Sequence, residues 1–331
     1  MVQGASSDAE VKMVAILRVL SESPGPLGSI AIARELENRG VFLSERGVRY
    51  YLRIMDERGF TQPLGRGGRQ ITPRGHEELR TALAPEQLRF ILERLELLAF
   101  NTTFDPDTGV GQVAVNTSVF HESSFDRALA AMRGVFKAGI CVSDMVAVAE
   151  GGAKLGGIII PRGRIGFATV CGVTINGVLL KKGVPMESRF GGILEVSDWR
   201  PRRFTAIINY GGTSIDPSEQ LIRARMTAVT EAVTSGEGRV LANFREILAA
   251  SRPLVEETLT KLREVGIGGV YSMGSVSEPV CQIAVGLNRV GLVLVGGLNP
   301  IAAAAEAGIE MENYAESGMM DFRDMRSFWK L

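Results

Sequence analysis

Arg46, Arg49 and Arg53 recur at three- and four-residue steps with Tyr50 among them, and Val48, Tyr51, Leu52 and Met55 interleave at the same period. On a helix this spacing separates a face of long donors from an apolar stripe. A helix so divided can rest its apolar side on a neighbouring helix and reach base edges and phosphates of a major groove with its guanidiniums. Downstream, Leu-Gly-Arg-Gly-Gly-Arg at 64–69 lies between two short β-prone runs, 60–62 and 70–72. That pattern puts Arg66 and Arg69 on a glycine-rich hairpin tip suited to phosphate or minor-groove contact. Ser44 adds a hydroxyl at the start of the arginine-bearing helix.

The surrounding residues supply the elements that would hold these groups. Met13, Ile16, Leu17 and Leu20 mark a first amphipathic helix, which Pro24-Gly25-Pro26 ends. Ser29 is the expected cap of a second helix, with Ile32 and Leu36 facing inward and Gly40 closing it. Ser44 is the expected cap of the third, which runs to about Arg58 with Gly59 just beyond. Gly47 would let helices two and three approach closely. A short helix from Thr72-Pro73-Arg74-Gly75 through Leu83 completes the unit. Helix, helix, turn, helix and basic hairpin make a winged helix-turn-helix over residues 1–83, whose expected partner is double-stranded DNA.

Charge is localised in the same way. The chain holds 37 basic and 37 acidic residues in 331, yet residues 44–74 carry seven arginines against Glu45, Asp56 and Glu57. A neutral chain with one basic stripe is a localised binder, not a general polycation. The start is polar, which argues against a signal peptide, and Asn299-Pro300 splits the most apolar run, 290–308, into strand, turn and helix. The expectation is a cytoplasmic protein with no membrane span. Cys141, Cys171 and Cys281 are widely spaced and odd in number, as befits reduced thiols. With His76 and His121 the only histidines and no CxxC, neither a zinc site nor general-base catalysis has support. GGAKLGG at 151–157 lacks the Lys-Ser/Thr of a phosphate-binding loop.

Residues 84–331 form the second expected domain. A helix opening at Pro85 carries Leu88, Ile91, Leu92, Leu95 and Leu98 on one face. That stripe is too apolar for solvent and packs either on its own domain or on a partner chain of a homodimer. The remainder is internally duplicated. Gly111, Val113 and Asn116 match Gly238, Val240 and Asn243 at an offset of 127. The run from Arg164 lies over the run from Arg289 at 125, and Gly192 over Gly318 at 126. The copies span about 110–200 and 237–325, and two copies imply a pseudo-twofold pair, each reading as helix, short strands and then strand–turn–helix. In the first, Cys171-Gly172-Val173 is the turn and Thr174 the expected cap; in the second, Gly296-Gly297-Leu298 and Asn299. Between the copies, Gly211-Gly212-Thr213-Ser214 joins a strand to a helix capped by Asp216. The fold class is therefore α+β: a winged helix-turn-helix followed by a duplicated α/β domain.

Three motifs of that domain, RIGFATVCGVTINGVLLKKGVPMESRFGGILEV, NYGGTSIDPSE and GLVLVGGLNPIAAAAEAGI, resemble the NrpR family of nitrogen-regulatory repressors. SERGVRYYLRIMDERGFTQPLGRGGRQITPRG resembles their winged helix, a relative of which is fused to some ribonucleases. The resemblance implies a dimeric, non-enzymatic repressor of nitrogen-assimilation genes, with no cofactor and with 2-oxoglutarate as its effector. Chemistry alone then selects effector candidates. A dicarboxylate wants cations and backbone N–H donors. Arg189 and the turn Cys171, Gly172, Thr174 and Asn176 lead, with Thr213 and Ser214 in support. Arg162, Arg164, Lys181 and Lys182 flank the first turn and Arg289 alone the second, so the first copy should hold more of the ligand. Two other readings stay open on the residues: a scaffold regulator controlled by a protein partner, and a thiol-dependent enzyme using Cys171 or Cys141 beside a DNA-targeting module.

Overall fold

Met13, Ile16, Leu17 and Leu20 of α1 (Asp8–Glu22) are buried against Ile32 and Leu36 of α2 (Ser29–Asn38) and Val48, Leu52 and Met55 of α3 (Glu45–Glu57). The three- and four-residue spacing thus closes a small core that Phe60 and Leu79 complete. The computed structural model describes residues 8–23, 25–79 and 90–331. Pro24, the expected helix end at Leu83 and the expected start at Pro85 with Leu88 lie outside the described residues. Ser44 caps α3 by accepting the Gly47 N–H at 3.2 Å. Ser29 does not cap α2. Gly28 holds the N-cap position, and the Ser29 hydroxyl donates to the Glu45 carboxylate at 3.1 Å, an acceptor only the folded chain brings near. Gly47 likewise meets Leu43 of the preceding loop, not helix two: a Cβ there would sit 2.8 Å from Leu43 Cδ1.

β1 (Thr61–Pro63) and β2 (Arg69–Ile71) pair antiparallel with Thr61 opposite Ile71, and Leu27 bridges to Arg69 beyond them. Gly68 makes this possible. Its φ is 99°, and a Cβ would lie 2.3 Å from the Leu27 carbonyl oxygen. Residues 73–79 (α4) are helical, the Thr72 hydroxyl accepting the Gly75 N–H at 3.0 Å.

The chain divides into Met1–Arg89 and Phe90–Leu331. The second unit opens with α5 (Ile91–Asn101). One copy then runs β3 (Gln112–His121), α6 (Glu122–Ala138), β4 (Met145–Glu150), a hairpin β5 (Lys154–Leu155) and β6 (Ile158–Ile159), β7 (Arg164–Val170), α7 (Val173–Lys181) and β8 (Glu187–Ser197). β9 (Arg200–Asn209), α8 (Pro217–Arg223) and α9 (Val229–Ser235) follow. The other copy runs β10 (Gly238–Leu248), α10 (Arg252–Glu264), β11 (Val270–Val276), β12 (Arg289–Val295), α11 (Asn299–Glu306) and β13 (Met311–Asp321), before a short β14 (Arg326–Ser327).

Each copy therefore opens on a long strand, where the sequence pattern predicts a helix first. Every residue of β3 from Val113 to Phe120 is buried, so no polar–apolar alternation marks it as a strand. The two five-stranded antiparallel sheets run β13-β3-β7-β4-β14 and β11-β12-β10-β8-β9. The last strand of each copy completes the other copy's sheet: β13 pairs with β3, and β8 with β10. Helices are shared the same way. Phe125 and Met132 of α6 join Ile301 and Ala303 of α11 in one core, and Ile175 and Val178 of α7 join Val255 and Leu262 of α10 in another. Neither copy owns a whole sheet or a whole core.

Ile91, Leu95, Leu98 and Ala99 of α5 are buried against Cys171, Val173 and Tyr210 of the same unit. Ile91, Leu95 and Leu98 of the expected stripe are thus covered within their own domain, with Leu92 partly so. Gly177 of α7 permits the approach, since a Cβ there would lie 2.3 Å from Thr102 Cβ.

Candidate nucleic-acid interface and regulatory pocket

Burial of Val48, Leu52 and Met55 turns the opposite side of α3 outward, and Arg46, Arg49, Tyr50 and Arg53 are all exposed there. Arg49 is ion-paired with Glu45 one helical turn back, and its hydrogen bond holds the Glu45 carboxyl below the usual range. Ser44, at the N-cap, is exposed at the end of this face. Arg66 lies in the turn Gly65–Gly67, its side chain outside the described residues. Arg69 is not on the tip. It is the first residue of β2, and its Nε donates to Asp56 at 2.9 Å, an oxygen pair that Thr61 also engages at 2.6 Å. Strand pairing with Pro63 and the bridge to Leu27 draw it into the base of the wing, where it ties the hairpin to α3.

In the second unit the two strand–turn–helix elements are built alike. Gly172 and Leu298 hold the N-cap positions, so Thr174 and Asn299 do not cap their helices. Their side chains reach instead to the strand that opens their own copy. Thr174 Oγ1 accepts the Ala114 N–H at 3.0 Å and donates to its carbonyl at 3.2 Å. Asn299 accepts the Leu241 N–H at 2.8 Å and donates to its carbonyl at 3.0 Å. Pairing of β3 with β7 and of β10 with β12 begins one residue later, at Val115 and Ala242, which leaves Ala114 and Leu241 with backbone groups toward the turns. Buried groups of this kind require a partner, and these side chains supply it.

The two turns converge on a cavity of about 20 Å³ whose lining includes Cys171, Gly172, Gly297, Asn116, Asn243 and Arg245. Tyr210 and Glu316 also line it. Arg245 is 1% exposed; its guanidinium donates to the Ser188 hydroxyl and lies 5.8 Å from the centre of the Tyr210 ring. The Tyr210 hydroxyl donates to Asn243. Asn116 accepts the Glu316 N–H at 3.0 Å, and Glu316 Oε2 lies 3.4 Å from a guanidinium nitrogen of Arg94 on α5, a contact without hydrogen-bond geometry. Burial, reinforced by the nearby Asp216 charge, pushes the Glu316 carboxyl well up. Burial also raises Asp216, although its N-cap bond from the Glu219 N–H favours the charged form; of the two, Glu316 is the one that holds a proton.

Of the effector candidates, the cavity brings together Cys171 and Gly172. Asn176 is one step away, its amide donating to Ser188 at 3.1 Å. Arg189 is half-exposed and taken by Glu246 at 2.5 Å. Thr213 closes a local turn on Ile215, and its carbonyl accepts the Ile91 N–H of α5 at 2.8 Å; Ser214 is partly buried beside it. Most of the flanking cations have other partners: Lys181 the Phe100 carbonyl, Lys182 Asp107 and Arg289 Glu187. Arg164 lines a larger cleft of about 810 Å³, where Arg223 and Arg225 face Glu219, Glu306, Glu310 and Glu312. Carboxylates there match or outnumber the cations, which disfavours an anion. Sequence reasoning missed Arg245, Tyr210 and Glu316. An Arg-Glu pair inside the apolar run of 240–248 is the signal that could have found the first.

Burial pushes the Cys141 and Cys171 thiols up to about 12, and both remain protonated at neutral pH. A thiolate nucleophile at either position is therefore disfavoured. No described group of His, Cys, Asp and Glu is placed to hold a metal ion, and no described helix is long and apolar enough to cross a membrane.

Comparison with known proteins places both units. Residues 88–327 match the family model of the NrpR regulatory domains NRD1 and 2, and residues 14–79 match the ribonuclease R winged-helix domain. The chain is 40% identical to the global nitrogen regulator NrpRI of Methanosarcina mazei over 96% of its own length and 98% of that protein. It is 31% identical to the global nitrogen regulator NrpR of Methanococcus maripaludis over 94% of its own length, but spans only 54% of that relative. A crystal structure of a nitrogen repressor-like protein from Methanococcus jannaschii superposes with a TM-score of 0.61 at 28% identity, covering 72% of this chain and 99% of that one.

Proposed function

The chain belongs to the NrpR family, and we infer that it is a DNA-binding repressor of nitrogen-assimilation genes whose hold on its operator is loosened by 2-oxoglutarate. The observation that carries the DNA half is the outward row of Arg46, Arg49 and Arg53 on a helix fixed by its buried opposite face. Two such helices in a homodimer would enter successive major grooves of a two-half-site operator. The effector half draws on the family and on the names of the relatives, which are nitrogen regulators.

Control requires a route from the second unit to the first. α5 is the first described element after the winged unit, and it carries Arg94, paired with Glu316 beside the junction cavity. Effector binding that alters this contact would alter the first turns of α5. A coupling of about 1–3 kcal/mol is enough to weaken operator binding roughly 5–150-fold.

The test is fluorescence anisotropy of the full chain on duplex from a nitrogen-assimilation promoter, titrated with 2-oxoglutarate and, separately, succinate. Release by the first alone supports the reading; tight binding that ignores both overturns the effector half. Arg49→Ala should lower affinity selectively for the operator, by about 1–3 kcal/mol, whereas Arg66→Ala should weaken all duplexes similarly and reduce the salt slope by about one. Unchanged binding in both variants would remove the winged unit from DNA recognition.

A further inference from the structure

We propose that Glu45 is the positioning residue of DNA recognition: held by Ser29 of α2, its carboxylate fixes the Arg49 guanidinium to read a guanine in the major groove. The proposal rests on the DNA-binding reading above and says how one of its arginines becomes selective. Arg46, Arg49 and Arg53 share the exposed face of α3, but they are not held alike. Among the described residues only Arg49 of the three has a carboxylate partner, Glu45 one turn back.

An exposed ion pair along one helix is weak by itself and leaves both side chains loose. Glu45 has a second partner. The Ser29 hydroxyl, 16 residues earlier in the chain, donates to Glu45 Oε1 at 3.1 Å, and Arg49 Nη2 donates to the same oxygen. One oxygen thus joins the first residue of α2, the first residue of α3 and the arginine one turn in. Ser29 is available for this because Gly28 holds the N-cap position of α2.

Direction matters as much as restraint. Helical side chains lean toward the N-terminus, and the pair draws the Arg49 guanidinium that way, toward the end of α3 that Ser44 caps. In a helix-turn-helix the N-terminal residues of the recognition helix are those that contact base edges. Reading a guanine takes two N–H donors aimed at O6 and N7, whereas a phosphate accepts a donor from many directions. A guanidinium carries five N–H donors in one plane, and Glu45 takes one, at Nη2. The others stay available to the base. A carboxylate at this surface lowers affinity for every duplex; what it adds is discrimination.

The test is fluorescence anisotropy of the full chain on two duplexes of equal length, one from a nitrogen-assimilation promoter and one scrambled. Each guanine of the first is also replaced in turn by 7-deazaguanine, which lacks the N7 acceptor. The readout is the ratio of the two affinities, because damage to the fold lowers both and leaves the ratio alone. Glu45→Ala should bind the scrambled duplex as tightly as the wild type or more so, and its ratio should fall at least about 5-fold, the lower end for one bidentate base contact. The wild type should be weakened by 7-deazaguanine at one guanine, and Arg49→Ala and Glu45→Ala should both lose most of that sensitivity. Ser29→Ala should lower the ratio by a smaller factor, and Ser29→Thr, which keeps the hydroxyl, should restore it. A ratio unchanged in either Glu45→Ala or Ser29→Ala overturns the proposal and leaves the DNA-binding reading standing. Tighter promoter binding by Glu45→Ala at an unchanged ratio would show that Glu45 only masks Arg49, and overturns it too. A wild type that does not prefer the promoter duplex overturns the DNA-binding reading, and the proposal with it.

Discussion

Ser118 on β3 faces Asn313 on β13, and at the place related by the duplication Arg245 on β10 faces Ser188 on β8. In the first half the pair is a neutral hydrogen bond of 2.8 Å, from the Ser118 hydroxyl to the Asn313 amide oxygen. In the second it joins a serine to a buried guanidinium. Around these positions the halves agree closely. Cys171 and Gly296 each donate a backbone N–H of 2.8 Å to the strand residue that Thr174 and Asn299 grip. The contrast teaches that the scaffold of a duplicated fold is constrained by backbone satisfaction, which both halves need, whereas the side chains at its axis are free to diverge in charge. The cations of the first half, Arg189, Lys181 and Lys182, catch the eye in sequence but have protein partners.

The largest expected effect tests the shared part of the comparison. Asn299→Ala leaves the buried N–H of Leu241 without its partner, the carbonyl keeping the Gly296 N–H, and should cost about 3 kcal/mol in urea unfolding. Thr174→Val, which strands Ala114 in the same way with little change in volume, should cost about 2 kcal/mol. A cost in one half and none in the other would break the equivalence of the two grips.

A smaller effect, of opposite sign, sharpens the difference. Replacing a buried charge by an apolar side chain of similar length is often neutral or stabilising. Arg245→Met should therefore leave the unliganded protein as stable as the wild type or more so, by up to about 2 kcal/mol. A loss of stability of that size would show that Arg245 belongs to the scaffold after all.

The smallest effect concerns pH. Glu316 is raised by burial and by the neighbouring Asp216, so the folded chain binds its proton more tightly than the unfolded chain does. That contribution to stability is fully present below the unfolded carboxyl pKa, near pH 4, and is lost as pH rises through the folded value. Glu316→Gln keeps a neutral side chain at all pH. Its Tm relative to wild type should rise by a few degrees between acid and neutral pH, and parallel Tm curves would mean that Glu316 is not the group that holds the proton.

The winged unit was open to reading because its information is local. Helical period placed Val48, Leu52 and Met55 inside and Arg46, Arg49 and Arg53 outside, and both facts hold within fourteen residues of chain. Turns and stops were legible for the same reason: Gly183 and Gly308 both sit at positive φ just past α7 and α11. The duplication showed itself as matched offsets. Errors gathered where a residue's partner is distant. Ser29 found Glu45, Arg69 found Asp56, and Thr174 and Asn299 found strands about 60 residues earlier. A capping residue and a cross-element clamp have the same side chain, and only the distant partner tells them apart.

By itself, then, the sequence determined the family, the two-part order of winged helix and duplicated domain, the arginine face of α3 and the positions of the two turns. These follow from periods, breakers and repeats that act over a few residues or survive as identities. The tertiary structure alone decided that the copies exchange their last strands and that Arg245 meets Ser188, 57 residues away, in a buried space beneath α5. Strand exchange is set by pairing between strands far apart in the chain, Met311 with Phe120 and Gly238 with Val196, and β3, buried from Val113 to Phe120, carries no alternation from which a register could be read.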